Sequence, residues 1–116
     1  MGGIALAKLE TYLRGEFGEI LNTIHSEVLR GSISATLEDS SDFASGPFRV
    51  SVRVYERYSM IGQNRLSMNV TLASDGPRIF LSAITAGGSQ AMLFKINTFG
   101  EESFLNELRR IIKRYQ

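Results

Sequence analysis

A chain of 116 residues with 43% apolar and 22% charged side chains has room for one core of ordinary size, and that balance excludes a disordered or fibrous protein. The absence of cysteine rules out disulfides, thiolate metal sites and cysteine nucleophiles, and a formal net charge of +1 argues against bulk attraction to nucleic acid or anionic lipid. No stretch approaches bilayer-spanning length and "MGGIALAKLETYL" lacks the layout of a secretory leader, so the expectation is a single cytoplasmic domain, residues 1–116, without membrane contact.

In chain order, "ALAKLETYLR" alternates Ala7, Leu9, Thr11 and Leu13 with Lys8, Glu10, Tyr12 and Arg14, while Leu6, Leu9 and Leu13 also suit a helix. A strand is preferred because Gly15 then separates it from the helical pattern beyond. "FGEILNTIHSEVLRG" carries Phe17, Ile20, Leu21, Ile24 and Val28 at helical spacing and stops at Gly31. The period then becomes two. "SISATLE" sets Ile33, Ala35 and Leu37 inward, and "EDSSDFASGP", residues 38–47, reads as one loop. "FRVSVRVYERYS" sets Phe48, Val50, Val52 and Val54 inward against Arg49, Ser51, Arg53, Tyr55 and Arg57, and "RLSMNVTL" sets Leu66, Met68, Val70 and Leu72 inward. The chain ends in a helix with Phe104, Leu105, Leu108, Ile111, Ile112 and Tyr115 on one face. Thr98 and Glu101 have capping-box spacing at its start, and Arg109, Arg110, Lys113 and Arg114 crowd its last turns, where cations suit the helix dipole.

Turn chemistry sets the registers. A two-residue turn at Asp75-Gly76 brings Leu72 opposite Ile79 and Val70 opposite Leu81. A second turn at Gly87-Gly88 brings Ala83 opposite Met92, Leu81 opposite Phe94 and Ile79 opposite Ile96. The two assign the same face to the core. A phosphate loop would need those glycines to open a helix before a Lys-Ser/Thr pair or a third glycine, and neither is present. Around "SMIGQNR" an odd-numbered loop keeps Val54 opposite Val70. The result is an α+β domain: an antiparallel sheet of five or six meandering strands with two amphipathic helices on one face. Its order β-α-β-β-β-β-β-α resembles the helix-grip arrangement, in which a long carboxy-terminal helix lies across a curved sheet.

The opposite face then groups Arg49, Arg53, Tyr55, Arg57, Arg65, Asn69, Phe80, Ile84, Leu93 and Lys95, with few acidic residues, and part of it is apolar enough to need covering. Three coverings fit. A second copy makes a homodimer. Curling around a cavity makes a pocket for a small anionic ligand held by Arg53, Arg57 and Lys95. Nucleic acid stacked among aromatics and arginines is the third, and the overall charge argues against it. Glu56 falls on the core side opposite Met68, where a carboxylate needs a partner at the rim or a raised pKa. His25 is the only histidine and there is no cysteine, so a histidine- or thiolate-based metal site cannot be assembled, and no catalytic triad is read around it. No catalytic residue, metal or cofactor is assigned.

The segments "GSISATLED", "VRVYERYS", "NRLSMNVTL" and "LSAITAGGSQAMLFKINTFGEESFL" together resemble a bacterial family of unknown function over most of the chain. The resemblance implies a signature at Glu56, Arg57, Tyr58, Asn64, Arg65, Gly87, Gly88, Ser89, Gln90, Lys95, Asn97 and Thr98. Turns and a helix cap account for several of these, but not for Arg57, Arg65, Gln90 and Lys95. No activity comes with it. The expected role is a small non-catalytic interaction module that self-associates through its sheet, with the anionic-ligand pocket as the alternative.

Overall fold

The computed structural model describes residues 6–59, 64–87 and 95–116. Strand β1, Leu6–Leu13, leads into helix α1, Phe17–Arg30, and then come β2, Thr36–Ser45, β3, Phe48–Ser59, β4, Asn64–Ser74, β5, Ile79–Ala86, and helix α2, Lys95–Ile112, closed by a tight turn at Lys113–Tyr115. The first segment is thus a strand. The described strands form one antiparallel sheet in the order β1-β5-β4-β3-β2, five in number, the smaller of the two counts the sequence allows.

Helix α1 starts where Glu16 accepts the Gly18 and Glu19 N–H groups at 3.0 and 2.7 Å, which satisfies two orphan donors of the first turn. Its apolar stripe is buried as spaced: Phe17, Ile20, Leu21, Ile24 and Val28. The stripe of α2 meets it with Phe104, Leu105, Leu108, Ile111 and Ile112, and Tyr115 lies in the closing turn. The chain end is tied down twice. The Tyr115 hydroxyl donates to Thr23 Oγ1 at 2.8 Å, and its carbonyl accepts the Arg14 N–H at 2.7 Å. Under the helices, Leu66, Met68, Val70 and Leu72 of β4 and Ile79, Leu81 and Ala83 of β5 complete the core.

Several registers differ from the sequence expectation. Leu72 lies opposite Leu81, not Ile79, because the connection runs from Ser74 to Ile79; that slip of two residues keeps the same face inward. The slip in β3 is one residue. Ser59 pairs with Asn64, so the four residues between them make the connection even, and Arg53, not Val54, stands opposite Val70. Every β3 side chain therefore changes face. Tyr55 is fully buried beneath the helices opposite Met68, while Val50, Val52 and Val54 point away from them. Segment 38–47, expected as a loop, lies largely within β2, and β2 joins β3 through a two-residue turn in which Gly46, at φ 56°, takes the left-handed first position. Ile33, expected in a strand and inward, lies in the turn before β2 and is fully exposed.

The hairpin expected at Gly87-Gly88 is replaced by a long-range pairing. β1 lies against β5, with Leu13 opposite Ile79 and Leu6 opposite Ala86, so β5 has no free edge for a returning strand. Residues 88–94 lie outside the described residues. Lys95, Ile96 and Asn97 are helical, and Thr98 stands three residues inside α2 rather than at its cap.

Candidate functional site

The β3 slip sorts the expected surface residues onto two faces. Arg53, Tyr55 and Arg57 lie on the helix side, and each has a partner there. Tyr55 OH sits 2.9 Å from His25 Nδ1, and burial pushes the phenol pKa up to about 12. Arg53 bonds Asp42 at 3.1 Å, and Ser51 Oγ donates to the same carboxylate oxygen at 2.6 Å. Arg57 pairs with Glu107 at 3.3 Å, with 15% and 13% of the two side chains exposed, and its guanidinium lies 4.4 Å over the Phe104 ring. Burial pulls the Arg57 pKa down and pushes that of Glu107 up. Gly31 makes room for this pair, because a Cβ there would fall on the Glu107 carboxylate.

These arginines reach the core through their planar heads. Arg49 stacks 4.2 Å over Phe17 as Arg57 does over Phe104, so the rim of the core is aromatic face against guanidinium. The Ser51 hydrogen bond and then Arg53 hold the Asp42 carboxyl below the usual range. A folded-state pKa below the unfolded one adds stability that is complete above the unfolded value and lost as pH falls through the folded value. Asp42→Asn is therefore expected to be less stable than the parent at neutral pH, with the gap closing below about pH 4. Urea unfolding across pH 2–7 reads that difference.

A cleft of about 320 Å³ between α1 and the end of α2 is lined by Glu27, Arg30, Gly31, Glu107, Arg110 and Arg114. Within it Glu27 takes Arg30 at 3.0 Å and Arg114 at 4.0 Å. Among the described residues no cluster of three metal-ligating side chains occurs.

The face away from the helices is different. Antiparallel pairing lines up one outward residue from each strand, giving rows that cross the whole sheet. The first row is Tyr12, Phe80, Ala73, Val50 and Phe43, apolar from edge to edge. Tyr12 is 59% and Phe43 61% exposed, and Phe48, outward beyond Val50 on β3, is 42% exposed. The Tyr12 and Phe80 rings stand 5.5 Å apart at 57°. The second row is Glu10, Ser82, Thr71, Val52 and Ser41, and the third is Lys8, Ile84, Asn69, Val54 and Asp39. A shallow hollow of about 150 Å³ opens beside the first row between Tyr12, Phe48, Phe80 and Arg78.

Of the sequence candidates, Phe80, Ile84, Asn69 and Arg65 are on this face. Glu56 is here too, opposite Ser67 rather than Met68, and Arg65 Nε donates to it at 2.8 Å. The expected core-side carboxylate is thus a partly exposed ion pair. Gln90 lies outside the described residues, and Lys95 opens α2 instead of lying in a strand. Sequence reading missed Tyr12, Phe43, Phe48 and the valines of β3. For Phe48 and the valines the signal was present as a second apolar parity in β3, which only the register could assign to a face.

Comparison with known proteins gives three results. The model of a family described as a family of unknown function, DUF6054, matches residues 6–116. A search of the curated proteins finds no match. Among solved structures, a crystal structure of ginseng major latex-like protein 151 from Panax ginseng aligns with 10% identity over 97% of this chain and 97% of that chain, with a TM-score of 0.46.

Proposed function

Because this chain belongs to DUF6054, whose function is unknown, we infer its role from its own surface: a small non-catalytic interaction module that self-associates through the outer face of its sheet. The observation that carries this reading is the row from Tyr12 to Phe43, apolar across all five described strands and uncovered by either helix. A solvated antiparallel face is ordinarily polar. Here Phe43, Phe48, Tyr12 and Ile84 are each more than two-fifths exposed.

Size supports the reading as well. Five strands at ~4.8 Å and seven residues at ~3.4 Å span on the order of 600 Å² in projection. That is the scale of the ~800 Å² each partner contributes to a stable interface. The anionic-ligand alternative relied on Arg53, Arg57 and Lys95. Asp42 and Glu107 engage the first two, and Lys95 stands at the start of α2, so self-association is preferred. The setting we assign is the cytoplasm of a bacterium.

Sedimentation velocity over a wide concentration range tests the proposal. The expected result is a dimer that dissociates on dilution into a compact monomer. A single monomeric species at every concentration overturns it.

A further inference from the structure

The arrangement of the two copies can be read from the same sheet, and it rests on the self-association just proposed. β4 is the middle strand, with β5 and β1 on one side and β3 and β2 on the other. A two-fold axis running along β4 in the plane between two stacked sheets exchanges β1 with β2 and β5 with β3. It leaves every cross-strand row at its own level. The rows were fixed by backbone pairing within one copy, so whether they suit their own images is an independent question.

They do. In the first row Tyr12 meets the partner's Phe43, Phe80 meets the partner's Val50, and Ala73 meets itself. In the third row Ile84 meets the partner's Val54, and Lys8 at one end comes over the partner's Asp39 at the other. Glu10 in the second row meets the partner's Ser41, a hydroxyl donor, so no like charges oppose each other. Along the axis itself the outward residues are Ala73, Thr71 and Asn69, small enough to admit a close approach. An axis across the strands does worse: it lays Phe43 on the partner's Asp39 and leaves Lys8 without an acidic partner.

We propose that two copies of this chain pack sheet to sheet about a two-fold axis along β4, with each Lys8 over the partner's Asp39. Lys8 and Asp39 are exposed on opposite edge strands, so charge reversal at either leaves the core untouched. Every dimer contains the contact twice.

The test is a charge-reversal cycle read by sedimentation equilibrium, with far-ultraviolet circular dichroism confirming the fold of each variant. Lys8→Asp and Asp39→Lys are each expected to weaken dimerisation about tenfold or more, because each places like charges together at two points. The double variant restores the opposition with the signs exchanged and is expected to return close to the parent affinity. If the parent is dimeric and the double variant is as weak as the sum of the singles, this arrangement is overturned while a sheet-face dimer stands. If the parent is monomeric throughout, both are overturned. The cysteine-free chain supplies a second reading. Ala73→Cys, on the axis, is expected to crosslink to itself through a bismaleimide matched to the ~10 Å sheet spacing. Absence of that product from a dimeric sample overturns the axis.

Discussion

Phe80→Glu is expected to remain folded and to be monomeric at concentrations where the parent chain is dimeric. Phe80 lies second in the apolar row, between Tyr12 and Ala73, and is partly exposed in the single copy. Putting a carboxylate there costs the free chain little beyond its contact with the Tyr12 ring, about 1 kcal/mol or less. In the dimer the same carboxylate is desolvated against an apolar surface at two symmetry-related points. A loss of at least a hundredfold in association is expected, since a buried charge without a partner costs about 2–5 kcal/mol. Light scattering together with thermal unfolding separates the two effects. A monomer with a nearly unchanged melting temperature is the expected outcome. A Phe80→Glu chain that dimerises like the parent contradicts the assignment of this face.

Tyr55→Ala is expected to act on the other property, the stability of the single chain. Tyr55 has no exposed surface, packs in the core under both helices, and places its hydroxyl on His25. Truncating a buried aromatic to alanine costs about 3–5 kcal/mol. That is a large share of the roughly 5–15 kcal/mol that holds a domain together. Urea unfolding should show the midpoint collapse or the chain fail to fold. Tyr55→Phe keeps the ring and removes only the hydroxyl, so it is expected to fold and to lose about 1 kcal/mol. The opposite placement, with Tyr55 on the outer face, gives the opposite pattern: a stable Tyr55→Ala monomer whose association alone is impaired. The pair of variants therefore decides the register of β3.

That register marks where the sequence stopped being legible. β4 could be read because its two parities differ plainly: Leu66, Met68, Val70 and Leu72 against Arg65, Ser67, Asn69 and Thr71. In β3 both parities have a claim on the core. Valines at 50, 52 and 54 look like the buried set, and three arginines around Tyr55 look like the solvated one. The fold takes the second, because guanidinium planes cover the aromatic rings of Phe17 and Phe104 and the carboxylates of Asp42 and Glu107 accept hydrogen bonds from Arg53 and Arg57. No alternation rule contains those partners, which come from α1, α2 and β2.

β2 escaped the sequence for a related reason. An edge strand of exposed residues needs no apolar pattern, so "EDSSDFAS" has the composition of a loop and the pairing of a strand. The Gly87-Gly88 hairpin failed because local turn chemistry is silent about distant competitors, and β1 arrives from the start of the chain to occupy that edge of β5. The stripe of α1 from Phe17 to Val28 and that of the chain end from Phe104 to Tyr115 were legible, since their periodicity depends on no partner's register. The candidate site was legible only in Phe80, Ile84, Asn69 and Arg65. Its apolar half, from Val50 to Phe43, emerged once β3 had turned over.

The central claim is that this outer face is the surface the protein uses, and side-chain footprinting by hydroxyl radicals tests it most directly. Samples are compared below and above the concentration at which the chain associates. Tyr12, Phe43, Phe48 and Phe80 should lose reactivity together as concentration rises, while Tyr115, under α1, stays unchanged. Unchanged reactivity of all four across an association step, or protection along α1 and α2 instead, would contradict the account.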